Sequence, residues 1–564
     1  MILNHVERRG PEAGQHFVPM SGRAGNAWPC RDDGGLPRWA GEKGRPQHGS
    51  KGRFCAPKSL AIASVTSSSA LFQSLDPHSV IQQLAFYELY PDTPEGKKAW
   101  ERAWELLSQG STNNDAGICA PPAEGLPPVD VRAIIGLVTH RSSQDIAVLG
   151  REQLATLQEL GKQLPNRKRQ GAHVWTKEEV LALPLKQIDL ARGLLVNQFD
   201  EDPDAPQKIL QYEATLDLMA LEIRAALPRQ ATAVQKIDAI NKFIFEDMHF
   251  RFPPHSLYAK DIDLYTFLPA VLDSREGVCL GVSILYLCLA ERLDLELEIV
   301  TPPGHIYLRY NDNGKHLNIE TTARGIHHPS EAYLGINTRN LQQRTLKEVI
   351  GMAFVNQASV FWELGKYQET VNLYEKALKF LPDDPLLKLF LGLNYLFIGE
   401  TGKGRKYLET LRNFTFDYAV SPETMPDDYL MGRTDIQGLK NVFRHVDESR
   451  DSVHKKQAGL LETLKRYPRF RAGLFQLAIT WLQLGRTAEA LECLEKYHRL
   501  DPRDATIEYY LSAILHERMD YPRAWTHLHE VENIVHARQH NPKVLEQLRL
   551  QLMRSSPPPP NLKR

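Results

Sequence analysis

Three side chains able to carry nucleophilic chemistry follow one another in the middle of this 564-residue chain: Cys279, His305 and Glu320. Cys279 lies in Arg275-Glu276-Gly277-Val278-Cys279-Leu280-Gly281-Val282-Ser283, where a polar loop enters an apolar run. At a helix start, unsatisfied N–H groups and the macrodipole favour a thiolate over a thiol. His305 comes 26 residues later in Pro302-Pro303-Gly304-His305-Ile306-Tyr307, and Glu320 a further 15 on in Asn318-Ile319-Glu320-Thr321-Thr322. A thiol, an imidazole to relay its proton and a carboxylate to orient the imidazole make up a nucleophilic triad. Taken singly, each has a plainer reading: a small buried cysteine, a structural histidine, an edge-strand charge. Their order and placement together favour the triad.

Positioning them requires a helix and a hairpin. The run Val278–Leu293 reads as a buried helix, and Leu297–Val300, His305–Tyr310 and Leu317–Glu320 read as strands of an antiparallel meander. Asn311-Asp312-Asn313-Gly314 is a strong hairpin signal. Read as a four-residue loop, it sets His305 opposite Glu320 on one face, and Asn318 opposite Tyr307 as a rival orienting group. Cys288, inside the apolar run, is expected in the core. His327 and His328 are adjacent and lack further ligands, so they read as loop residues and no metal is expected.

Around this α+β segment the chain divides by pattern. Residues 1–60 carry ten Lys/Arg against five Asp/Glu, are rich in Gly and Pro and show no apolar period; residues 1–71 are expected to be a disordered extension. Residues 72–180 read as a helical N-terminal region, with a loop over Asn114–Pro128, and 181–340 as the unit holding the triad. Within it, Tyr212–Leu227 and Val234–Phe245 are amphipathic. Over 350–550 a register recurs: Ala358, Phe361, Gly365, Tyr374, Ala377 and Pro382; then Gly392, Tyr395, Gly399, Leu408 and Leu411; then Ala478, Trp481, Gly485, Ala490, Leu494 and Pro502; then Ser512, Leu515, Ala524 and Leu528. A degenerate unit ends at Pro468, and 551–564, with four consecutive prolines, reads as a disordered tail. The period and its small residues resemble tetratricopeptide repeats, whose concave surface takes a protein or peptide segment.

Composition narrows the function. With 68 Lys+Arg against 69 Asp+Glu the net charge is −1, which argues against a nucleic-acid or membrane-surface partner. At 42% hydrophobic residues the chain can bury more than one core. Six cysteines without a CxxC pair support neither a zinc ribbon nor a disulfide framework, pointing to a reducing, cytoplasmic setting, with secretion left open. The longest apolar run is too short to span a bilayer.

The GxCxxxS pattern entering a helix, the Gly-His pair opening a strand and the acid-Thr pair on the next resemble the transglutaminase-like superfamily, with its papain-type Cys-His-acid arrangement. More narrowly, Arg275, Gly277, Leu285-Tyr286-Leu287, Pro303-Gly304-His305 and Glu320, followed by repeats, resemble the bacterial SirB-type transglutaminase-like regulators. The resemblance implies an α+β transglutaminase-like core, preceded by a helical region and followed by an all-α repeat solenoid. It implies catalytic Cys279, His305 and Glu320, no cofactor, and amide chemistry (hydrolysis, deamidation or acyl transfer) on a protein substrate. Two departures stand out: the superfamily usually has Asp where Glu320 stands, and Ile306-Tyr307 occupy the place of a common Trp. Members of the narrower family commonly lack the cysteine, so the alternative reading is a catalytically inactive scaffold serving as an interaction or regulatory protein.

Overall fold

The computed structural model describes residues 68–108, 131–139, 149–253, 265–447 and 449–559. Most of the expected N-terminal extension, the loop expected over 114–128 and the last five residues lie outside them. Residues 68–73 are helical and Ser68 is buried, so the last residues of the stretch expected to be disordered up to 71 are part of a helix.

The helix Cys279–Arg292 is the axis of the fold, and every one of its residues is buried. Its apolar run explains most of that burial; its last two residues, Glu291 and Arg292, need partners. Arg292 Nε donates to Asp217 Oδ1 at 2.7 Å, Arg167 donates to both Asp217 and Glu213, and Arg192 makes a two-pronged pair with Glu213 at 2.7 and 2.8 Å. Arg169 pairs with Glu291, and Asn166 donates to Asp189 at 2.8 Å. Buried charges persist only when paired and hydrogen-bonded in this way. The network draws the turns Pro165–Lys168 and Gln170–His173 and the helices Leu190–Gln198 and Ala205–Ala225 onto the site helix. Asn166, Arg167 and Arg169, which precede the segment expected to hold the triad, are thus part of the packing around its helix.

Against this helix lies a four-stranded antiparallel sheet: β1 (Glu298–Thr301), β2 (Tyr307–Asp312), β3 (Lys315–Ile319) and β4 (Gln342–Arg344), in the order β3-β2-β1-β4. β4 is a short polar edge strand, Gln-Gln-Arg, with no alternating pattern to announce it. The hairpin corrects the expected register. Asp312 pairs with Lys315, leaving a two-residue loop in which Asn313 (φ 50°) and Gly314 (φ 89°) both adopt positive φ, as a type I′ turn requires. The ladder runs Arg309↔Asn318 and Leu308↔Ile319, two residues out from the four-residue-loop reading. An even slip keeps every side chain on its face, so His305 and Glu320 still share one side. They lie just past the ladder's end rather than as a directly opposed pair.

The amphipathic stretches form as expected over Ala205–Ala225 and Ala233–Asn241, the second continuing into a wider turn over Lys242–Asp247. Ile237, Ile240 and Ile244 are buried, whereas Val234 is exposed. From Leu346 onward the chain is helical hairpins: Leu346–Glu363 with Tyr367–Leu378, Pro385–Phe397 with Thr401–Glu409, Arg471–Gln483 with Thr487–Leu500, and Ala505–Glu517 with Tyr521–Ala537. The degenerate unit is a short helix, Ile436–Val442, against Arg450–Arg466. Small residues sit at the close contacts: a Cβ on Gly392 would come within 2.9 Å of Tyr407 Cβ. A final helix, Lys543–Ser555, runs past the expected tail boundary at 551 because Leu545, Leu548 and Leu552 form a buried stripe. Among the described residues no helix is long and apolar enough to cross a membrane.

Candidate active site

The loop before the site helix is held from both sides. Arg251 N donates to Arg275 O at 3.0 Å and Gly277 N to Arg251 O at 3.1 Å, while Val278 N donates to Tyr265 O at 2.9 Å. That close approach explains two glycines around the cysteine: a Cβ on Gly281 would lie 2.2 Å from Tyr265 O, and one on Gly277 would lie 2.7 Å from the Val282 side chain. Cys279 is thereby fixed as the first residue of the helix, with Val278 as its N-cap. The first backbone bond of the helix is Val282 N to Val278 O, so the N–H groups of Cys279, Leu280 and Gly281 precede the intrahelical ladder.

His305 is delivered by a turn. His305 N donates to Pro302 O at 3.0 Å, with Pro303 and Gly304 (φ 64°) at the central positions, the residue pattern of a type II turn. Its Nε2 lies 2.7 Å from Glu320 Oε2. The Cys279 thiol is its other hydrogen-bond partner, which leaves Nδ1 for the sulfur. The structure thus brings together all three residues singled out in the sequence.

Glu320 closes β3 and caps the short turn Thr321–Ala323. Its Oε1 accepts from Thr322 N at 3.1 Å and from Thr322 Oγ1 at 2.6 Å; its Oε2 accepts from His305 and from the Tyr333 hydroxyl. Burial alone would raise this carboxyl, but the bonds from His305, Thr322 and Tyr333 outweigh it and hold the group down at about 2. His305 is pulled down by burial and pushed up more strongly by its hydrogen bonds to Cys279 and Glu320, reaching about 10. Both shifts favour an imidazolium between two anionic partners. The thiol and the imidazole are nearly enclosed, at 6% exposure for Cys279 and 18% for the His305 side chain.

The rival orienting group is not one. Asn318 faces Arg309, not Tyr307, and bonds Arg309 Nε at 3.0 Å, His328 O at 2.7 Å and Ser330 Oγ at 3.0 Å. His327 and His328 lie in the loop after Ile326, with His327 Nδ1 accepting from Asn318 N. Cys288 is fully buried in the core, and burial pushes its thiol well up.

Tyr333 escaped sequence reasoning, and Ser283, the last residue of the GxCxxxS pattern, was given no role by it. Tyr333 donates to Glu320, and its ring stacks on His305 (5.5 Å between centroids) and on Tyr307 (5.0 Å). Ser283 Oγ meets Thr321 Oγ1 at 3.0 Å, pinning the site helix to the turn that Glu320 caps. The only sequence signal for Tyr333 is an aromatic residue in a polar loop, which no periodicity distinguishes.

Residues 210–350 match the family model of the transglutaminase-like superfamily, a quarter of the chain that contains all three residues of the site. No match was found among curated proteins. Similar solved structures include a thermophilic TPR protein from Thermus thermophilus (18% identity, 36% of this chain and 98% of that one, TM-score 0.19). Another is MamA from Desulfovibrio magneticus (12% identity, 33% and 96% covered, TM-score 0.18).

Proposed function

We propose that this protein is a cysteine-dependent enzyme of the papain-type, transglutaminase-like kind, acting on amide bonds of a protein substrate that its repeats bind. The observation that carries the reading is the bridging imidazole: Nε2 on Glu320 at 2.7 Å, with Cys279 as the other partner. In the reaction, the Cys279 thiolate adds to the amide carbon and the carbonyl oxygen takes the negative charge. The N–H groups at the helix start stabilise that oxyanion. His305, held as an imidazolium by Glu320, then gives its proton to the leaving amine, and an acyl-thioester remains on Cys279. Water or an amine, deprotonated by His305, attacks the thioester and releases the product. Hydrolysis, deamidation and transfer share these steps and differ only in the leaving and entering groups.

The alternative, an inactive scaffold of the SirB-type regulator kind, draws support from the low exposure of Cys279. A thiol-reactive electrophile separates the two. Labelling centred on Cys279 and dependent on His305 supports the enzyme; equal, slow labelling of Cys279 with and without His305 supports the scaffold.

A further inference from the structure

Far from the triad, among the described residues, one group of side chains gathers three metal-ligating atoms within 4.8 Å of one another: His498, Glu508 and His527. Each comes from a different helix: His498 near the end of Thr487–Leu500, Glu508 in the first turn of Ala505–Glu517, and His527 in the second turn of Tyr521–Ala537. The Glu508 carboxylate is wholly buried, and both of its oxygens are taken by imidazoles: Oε1 by His498 Nδ1 and Oε2 by His527 Nδ1, the latter at 2.7 Å. The two rings meet edge to face with centroids 5.3 Å apart.

We propose that these three residues form a binding site for a divalent zinc ion, with two imidazole nitrogens and one carboxylate oxygen as ligands. Two nitrogens and one oxygen is a ligand set zinc favours, and it leaves a fourth tetrahedral position open. That position has a route to water, since the His498 side chain is 34% exposed while those of His527 and Glu508 are 12% and 0%. Entry of the ion replaces the two N–H···O bonds by metal bonds, each Nδ1 proton passing to Nε2 of a neutral ring or to solvent from a protonated one.

The placement gives such an ion a structural consequence. The hydrophobic core divides at this seam into two clusters. Cys493, Leu494 and Tyr497, beside His498, belong to the large core that runs through the chain. Ala524, Trp525 and Leu528, around His527, belong to a small terminal core that also holds Leu545, Leu548 and Leu552. The helix of Glu508 contributes Ile507 and Leu511 to the first and Leu515 to the second. An ion held here bridges the seam and clamps the last hairpin to the rest of the array, the way folding and metal binding are coupled in other small modules.

The test uses the full chain with Cys279→Ala, which removes the competing thiol of the triad. After chelation, titration with zinc alone should give one tight equivalent and raise the thermal midpoint. His498→Gln and His527→Gln should each weaken binding by more than the ~10–100-fold that follows loss of an outer hydrogen-bond partner. Zinc stoichiometry and thermal shift unchanged in both variants would overturn the site, because the ion would then sit elsewhere. Should a variant fail to fold, cobalt titration of the parent decides: d–d bands without sulfur-to-metal charge-transfer absorption support the site, and their absence overturns it.

Discussion

At the scale of single residues, the unusual feature is how thoroughly Glu320 is committed. It accepts four hydrogen bonds, and its length lets one carboxylate reach Thr322 with one oxygen and both His305 and Tyr333 with the other. Glu320→Asp should keep the His305 contact only by giving up some of the others, so partial activity is expected; Glu320→Gln keeps the size but removes the charge and should lower kcat far more. The pH dependence follows with its sign. Glu320 is held at about 2 from 4.5, so its stabilising contribution is present above pH ~4.5 and is lost as pH falls through about 2. His305 is raised from 6.5 to about 10, so its contribution is complete below pH ~6.5 and fades as pH rises through about 10. Thermal midpoints of wild type and His305→Ala should therefore diverge most at pH 5–6 and converge above pH ~10. Cys279 should alkylate in the wild type well below the ordinary thiol value of ~8.5, and His305→Ala should restore that value. Matching alkylation profiles in the two proteins would mean that the ring and the sulfur do not exchange a proton.

At the scale of elements, the site helix depends on partners that lie far away in sequence. Asp217 offers one carboxylate oxygen to Arg167 and the other to the wholly buried Arg292. Asp217→Ala takes the carboxylate from the wholly buried Arg292 and leaves Arg167 with Glu213 alone, and should destabilise the chain by about 3–5 kcal/mol, readable as a fall in the denaturant midpoint. Gly392→Leu should overpack the hairpin against Tyr407, costing about 1–3 kcal/mol without changing the Cys279 alkylation profile. This scale also shows what could be read from the residues alone. The site helix and the repeat hairpins carry period signals and formed where expected; Cys279, His305 and Glu320 carry motif signals and lie together, but with His305 and Glu320 past the end of the ladder and not opposed across it. The hairpin register differs from the expected one because Asn311-Asp312-Asn313-Gly314 offers two turn lengths and only the φ > 0 pair Asn313-Gly314 settles the choice. The buried network was invisible for a different reason: Arg167, Glu213, Asp217 and Arg292 look like ordinary surface charges until the fold brings them together. Tyr333 likewise acquires a role only through a contact with a residue thirteen positions away.

At the scale of the whole molecule, the chain that carries Tyr333 also anchors the repeats. Two residues beyond Tyr333, Gly335 O lies 2.7 Å from His540 Nε2, just before the last helix. Asn337 Oδ1 accepts from Val420 N at 3.1 Å and Ser421 N at 2.7 Å, and Arg339 N donates to Tyr418 O, so the segment between the second and third regular hairpins is also tied here. Ile336 packs into the small terminal core. On the other side, a Cβ on Gly193 would collide with Ile350, and the Arg344 guanidinium reaches Asp384, the N-cap of Pro385–Phe397, at 2.7 Å, so the first hairpin and the start of the second are seated on the site unit. Strain or ligand in the array therefore has a covalent and hydrogen-bonded route to the residue that stacks on His305. Asn337→Ala tests that route without touching the triad. It removes the acceptor of two backbone N–H groups and should loosen residues 327–340, read as faster amide hydrogen exchange there. If the anchor positions Tyr333, the alkylation profile of Cys279 should shift part of the way toward that of Tyr333→Phe, and the two substitutions combined should add little beyond Tyr333→Phe alone. Faster exchange over 327–340 with an unchanged Cys279 profile would show that the site and the array are packed together but not coupled.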